Sequence, residues 1–138
     1  MDVFSTEERS ALMSKIRSKN TGPEILVRKF LFSNGIRFRL HNAKLPGRPD
    51  LVLKKYNTAI FVNGCFWHGH ENCKYFKLPK ARRKYWKNKI DNNRIRDHQA
   101  KNNLEQLGWS VIVIWECQLK PNIVNYTLQD LLSKITPS

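Results

Sequence analysis

Cysteine and histidine carry the clearest chemistry in this chain. Cys65-x4-His70-x2-Cys73 has the close spacing of metal ligands, and Cys117 follows an apolar run that could bring it to the same place. Three thiolates and one imidazole suit a tetrahedral, borderline-soft cation such as Zn2+. The alternative is that each cysteine is a small buried hydrophobe. A disulfide framework is disfavoured, because the cysteine count is 3 and Met1–Ser10 lacks the apolar stretch of a signal peptide. His68 lies two residues before His70. It is a candidate zinc ligand, structural histidine or general base; with the other four as ligands it is spare, beside a basic and aromatic-rich stretch.

The chain holds only 11 carboxylates. Asp50 stands between a Gly-Arg-Pro turn and the apolar triplet Leu51-Val52-Leu53. A carboxylate at the edge of a sheet can hold a hard cation such as Mg2+, or it can simply cap the turn. Glu24 either closes a capping box with Thr21 or points across helix and sheet toward Asp50. Asp91, Asp97, Glu105 and Asp130 read as solvated helix residues.

The elements that must position these groups are legible from periodicity and punctuation. Ser5-Thr6-Glu7-Glu8 is a capping box, and Ala11, Leu12 and Ile16 form a stripe on a helix to about Lys19. Thr21-Gly22-Pro23-Glu24 opens a second helix, with Ile25, Leu26, Phe30 and Leu31 inward and Gly35 as its stop. Ile36–His41 alternates as a strand; Leu51–Leu53 and Ala59–Val62 pair around a turn at Lys54–Asn57. Residues 64–80 are irregular. Ala81–Leu107 lacks Pro and Gly and reads as one long helix closed by Gly108. Trp109–Trp115 reads as a buried central strand, and Asn125–Ile135 as a terminal helix. The 138 residues form one expected domain, an α/β mixed sheet flanked by helices.

Charge identifies the class of partner. The chain has 25 Lys+Arg against 11 Asp+Glu, a net of +14 at pH 7. Residues 74–101 carry eleven basic side chains against Asp91 and Asp97, a net of +9. A solvated helix face normally mixes signs, because opposite charges at i,i+4 stabilise it. This stretch does not, so phosphate is the expected counter-charge. No apolar run approaches the roughly 18 residues of a membrane span. Nucleic acid is therefore preferred to a membrane, in a cytoplasmic setting.

The ordered motifs go further. Leu45-Pro46-Gly47-Arg48-Pro49-Asp50, Gly64-Cys65-Phe66-Trp67-His68, His70 and Cys73, Phe76-Lys77-x-Pro79, Tyr85-Trp86-x-x-Lys89, Gly108-Trp109 and Trp115-Glu116-Cys117 follow one another along residues 9–119. This pattern resembles the very-short-patch-repair DNA mismatch endonucleases. The resemblance implies a restriction-endonuclease-like fold, related to the PD-(D/E)xK nucleases, with Val62-Asn63-Gly64 where an acid-x-Lys would stand. It implies an enzyme that nicks one strand 5′ to the T of a T·G mismatch left by deamination of 5-methylcytosine, using Mg2+ and a structural zinc.

Residue by residue, the resemblance makes Asp50 and the backbone carbonyl of Val62 the Mg2+ ligands, His68 the catalytic histidine and Glu24 a supporting acid. Cys65, His70, Cys73 and Cys117 match the zinc positions. Phe66, Trp67 and Trp86 match aromatics that enter the base stack, and Met13 matches an apolar wedge on the N-terminal helix, about residues 5–19, which contacts DNA. Lys89 and Asn93 match positions that read the mismatch. Val62 stands where Thr is frequent, which a carbonyl ligand tolerates. Asn63 stands where His is frequent, which removes one candidate proton donor. The expected partner is double-stranded DNA with a T·G mismatch, bound by a monomer, with other repair proteins as further partners. The competing readings are a non-catalytic zinc-stabilised DNA-binding module and a nuclease of the same fold with another DNA substrate.

Overall fold

The computed structural model describes residues 21–136. The expected helix near residues 5–19, with Met13, lies outside the described residues. The element order is α1 (Gly22–Ser33), β1 (Arg39–Leu40), β2 (Leu51–Leu53), β3 (Thr58–Asn63), α2 (Arg83–Gln106), β4 (Ser110–Trp115) and α3 (Val124–Ile135). Short 3-10 turns occupy Lys54–Tyr56 and Glu116–Leu119. The architecture is mixed α/β.

Helix α1 begins where its sequence says it should. The Thr21 side chain accepts the Glu24 N–H at 3.4 Å, and a proline sits in the first turn without costing a hydrogen bond. The chain leaves the helix through Asn34 and Gly35, whose φ of 77° suits glycine. The buried row is Glu24, Val27 and Leu31. Of the residues expected inward, Leu31 is central, while Leu26 and Phe30 pack at the margin of the core. This rotation places Glu24 at the head of the buried stripe, where i, i+3 and i+7 share a face.

The sheet runs β1-β2-β3-β4, with β1 and β2 and then β2 and β3 antiparallel, and β3 and β4 parallel. Two expectations need correction. The strand anticipated over Ile36–His41 pairs only at Arg39–Leu40, because Ile36 is held by the helix exit and His41 turns the chain with φ 47°. The strand anticipated as central, β4, is at the edge of the described sheet. Only Ile114 of β4 is buried; Val111 and Val113 line the cleft toward α2, so the strand is also less buried than its apolar run suggests.

One core joins α1, β2, β3, β4 and α3 through Val27, Leu31, Leu51, Leu53, Ile60, Ile114, Leu128 and Leu131. Burial of each such side chain contributes roughly 1.5–3 kcal/mol. Helix α2 is separate from that cluster, and buries Trp86, Ile90, Asn93, Ala100 and Leu104. The Leu45–Pro49 turn lies directly on it: a Cβ at Gly47 would meet the Ala100 Cβ at 2.6 Å. That close approach brings the segment before Asp50 against the basic helix.

Candidate functional site

Residues 64–80 form a run of turns rather than a regular element. His68 N–H donates to Gly64 O at 3.2 Å, and His70 N–H to Cys65 O at 2.9 Å. These bonds curl the loop so that Cys65, His70 and Cys73 face Cys117 in the turn after β4. The four ligand atoms all lie within 4.8 Å of one another. His70 Nδ1 and Cys117 Sγ are 3.5 Å apart. Tetrahedral zinc, with Zn–S about 2.3 Å and Zn–N about 2.0–2.1 Å, sets such an edge at about 3.6 Å, so the donors fit that ion.

The surroundings set the protonation and the orientation of the donors. Burial pushes the Cys65 thiol up to about 12, with the neighbouring thiols of Cys117 and Cys73 adding to it. Burial also raises Cys117 and lowers His70, keeping the imidazole neutral as a ligand must be. Trp115 stacks on the His70 ring at 4.0 Å and 7°, and the Cys65 N–H donates to Glu116 Oε1 at 3.4 Å. The end of β4 thereby fixes both the ring plane and the loop backbone.

A second group forms where β2 and β3 meet α1. The Val62 N–H donates to Asp50 Oδ2 at 2.7 Å. In an extended strand the N–H and C=O of one residue point to the same side, so the Val62 carbonyl also faces the Asp50 side. Burial raises the Asp50 carboxyl above its ordinary value; the Val62 N–H, His41, His68 and Arg28 each act against that rise. Glu24 is 3% exposed. Thr21 caps α1 through the Glu24 N–H, while the Glu24 carboxylate turns inward to Arg28 and to His41 Nε2, the latter at 2.9 Å. Donor atoms of Glu24, His41 and Asp50 lie within 4.8 Å of one another. Sequence reading missed His41 and Arg28. Arg28 is one turn beyond Glu24 on α1, a readable i,i+4 signal; His41 is joined to Asp50 only by strand register.

His68 Nδ1 is 2.6 Å from Asp97 Oδ2 on α2. An ionised carboxylate only accepts, so Nδ1 carries the proton and Nε2 is left as the basic nitrogen. Asp97, expected as a solvated helix residue, instead orients a histidine. Asn63, His68, Arg94, Asp97, His98 and Lys101 line a cleft of about 450 Å³ between the sheet and α2.

The aromatic candidates meet beside this loop. Phe66 lies 5.4 Å from Trp67 and 5.6 Å from Trp86, and Trp67 lies 5.8 Å from Trp86, all between ring centroids. Trp67 and Trp86 are buried and Phe66 half-buried. The adjacent Phe66 and Trp67 enter one cluster because the chain there turns instead of alternating as a strand. Asn93 is buried, donating to Trp67 O at 2.9 Å and accepting from Arg96 at 2.8 Å. Lys89 is half-buried on α2.

Comparison with known proteins bears on what this arrangement does. Residues 1–74 match the family model described as DNA mismatch endonuclease Vsr. The chain is 49% identical over 119 residues to the type II nicking enzyme V.NmeAIP of Neisseria meningitidis, covering 86% of this chain and 84% of that protein. It is 50% identical over 118 residues to the type II nicking enzyme V.XorIIP of Xanthomonas oryzae, covering 86% of each. It is 41% identical over 119 residues to the DNA mismatch endonuclease Vsr of Escherichia coli, covering 86% of this chain and 76% of that protein.

Proposed function

This chain belongs to the DNA mismatch endonuclease Vsr family, and on that premise we propose that it is a Mg2+-dependent DNA endonuclease nicking one strand 5′ to the T of a T·G mismatch. The observation that carries this reading is that the described domain holds both Asp50, braced by the Val62 N–H, and a His68–Asp97 pair seated on the basic helix α2. A pure binding module would need neither. The antiparallel β2–β3 hairpin with Asp50 at its entrance, followed by parallel β4, supports a restriction-endonuclease-like assignment. The whole chain is read as one catalytic domain, with residues about 5–19 as a DNA-contacting arm, acting as a monomer on intracellular DNA.

Asp50 and the Val62 carbonyl would hold the Mg2+, whose charge offsets the negative charge that builds on the phosphate during cleavage. Asp97 holds the Nδ1–H of His68, and Nε2 takes a proton from the attacking water. The water oxygen bonds to phosphorus as the phosphorus–sugar oxygen bond breaks, and the departing sugar oxygen leaves with the electron pair and takes up a proton from solvent. Glu24 keeps Arg28 and His41 against the Asp50 side. Cys65, His70, Cys73 and Cys117 would hold a structural Zn2+, which closes the loop carrying Phe66, Trp67 and His68.

A mismatched step stacks less well than a matched one, so opening it costs less than the few kcal/mol of normal unstacking. Phe66, half-buried at the edge of the aromatic cluster, would recover about 1–3 kcal/mol on stacking against a base, and Trp67 and Trp86, buried behind it, would have to be displaced to join it. Lys89, half-buried on α2, is the reader of the mismatch this arrangement favours; Asn93 would read it only by giving up its bonds to Trp67 and Arg96, and the +9 of residues 74–101 supplies phosphate attraction.

The deciding experiment is incubation of the purified protein with an end-labelled T·G duplex and Mg2+. A nick on the T strand is expected, absent from the matched duplex. Undiminished cleavage by Asp50→Ala would sink the assigned mechanism, and a mismatch panel with equal cleavage of all members would sink the T·G assignment.

A further inference from the structure

We propose that His41 is a protein donor to the catalytic cation, and that it makes this site favour a first-row transition ion such as Mn2+ over Mg2+. The inference rests on the reading that Asp50 holds a cation.

His41 sits directly across the strand pair from Asp50: its N–H donates to Asp50 O at 3.2 Å, continuing the Leu40–Leu51 register. Its φ of 47° is left-handed, as at Arg48, Asn57, Asn72 and Arg82, and histidine is among the side chains that adopt it most readily. Here it turns the chain after the exposed pair Arg39–Leu40 and brings the imidazole inward, leaving the side chain 12% exposed.

The donor spacing admits one shared ion in place of the His41–Glu24 hydrogen bond. His41 Nε2 and Glu24 Oε2 are 2.9 Å apart, and the Asp50 carboxylate lies within 4.8 Å of both. An octahedral ion at about 2.0–2.1 Å sets neighbouring donors about 3 Å apart. The chemistry of the set points the same way. Among the described residues two carboxylates, Glu24 and Asp50, and one imidazole, His41, converge within 4.8 Å, a mainly anionic donor set of the kind that suits a divalent ion.

The donor set then decides which ion. Mg2+ prefers oxygen ligands and loses its water reluctantly. An imidazole nitrogen adds more to the binding of Mn2+, Co2+ or Ni2+, in rising order, than to Mg2+. A site of carboxylate, carbonyl and imidazole is accordingly biased toward the transition ion, although Mg2+ still binds and serves.

The test uses the full chain with its zinc loaded. Mn2+ binding is followed by the electron-spin resonance of free Mn2+, and Mg2+ binding by competition. His41→Gln keeps a hydrogen-bond donor for Glu24 but removes the nitrogen ligand. It is expected to weaken Mn2+ binding by about tenfold or more and Mg2+ binding by less, so the preference shrinks. Pulsed spin-echo measurement on wild-type Mn2+ should show coupling to an imidazole nitrogen that is absent in His41→Gln, a readout independent of catalysis. An unchanged Mn2+/Mg2+ ratio, or the same nitrogen coupling in the variant, would overturn the proposal and leave His41 as an orienting partner of Glu24. Asp50→Asn separates the two levels: intact Mn2+ binding in that variant would mean that the underlying metal reading is wrong.

Discussion

His68 on the cysteine loop and Asp97 on α2 meet through Nδ1 and Oδ2 at 2.6 Å, across 29 positions of sequence. The carboxylate selects the tautomer of the ring and steadies it once protonated. Gly69 allows the meeting: its φ is 58°, and a Cβ there would collide with Ile90 at 2.6 Å and with the Arg94 guanidinium. Arg94 in turn donates to Gly69 O through Nε at 2.9 Å and Nη2 at 2.6 Å. With Asn93 donating to Trp67 O at 2.9 Å, loop and helix are pinned on both sides of the histidine.

Asp97→Asn retains an acceptor for Nδ1–H but loses the charge that steadies the imidazolium. Single-turnover nicking should slow by about 10–100-fold with DNA affinity nearly unchanged. A rate equal to wild type would show that Asp97 merely contacts His68.

Asp50→Asn should lose nicking while gaining stability in buffer without added divalent ion. Burial raises the folded-state pKa of Asp50 above its ordinary value. Its stabilising contribution is present at acid pH, below the ordinary carboxylate value, and is lost as pH rises through the raised value. Asparagine does not ionise and still accepts the Val62 N–H. The melting-temperature advantage of the variant should therefore widen from acid to neutral pH; a constant gap would contradict the burial argument.

Metal analysis should find about one zinc per chain, reduced in Cys117→Ser. The Cys65 thiol, pushed up to about 12 without a cation, must release its proton on binding, so zinc affinity should fall as pH falls. Zinc-free protein with full activity and an unchanged melting curve would refute the structural role.

The aromatic cluster should divide by burial. Trp86, 7% exposed, should cost about 3–5 kcal/mol of stability on replacement by alanine, read from denaturant unfolding. Phe66→Ala, at a half-buried position, should cost less stability and weaken binding of a mismatched duplex by about 1–3 kcal/mol. Equal loss on matched and mismatched DNA would remove Phe66 from mismatch recognition.

Local signals lie within the reach of sequence. Thr21 and Pro23 start α1, the absence of Pro and Gly sustains α2 until Gly108, and alternation or apolar runs mark β2, β3 and β4, since these depend on neighbours a few residues away. The spacing Cys65-x4-His70-x2-Cys73 and the ordered motifs likewise singled out the metal quartet and the family from the residues alone. Tertiary packing decided the rest. Which strand lies at the edge depends on which partner arrives beside β4, and nothing within Trp109–Trp115 specifies that. The rotation of α1 that sends Glu24 inward, the turn at His41 that sets its ring beside Glu24 and Asp50, the reach of Asp97 to His68 and the joint burial of Trp67 and Trp86 each bring together groups distant in the chain. Such contacts are selected by closing the whole core, where one side chain's position depends on many others. Sequence therefore identified the chemistry available, while the fold chose the partner that orients each group.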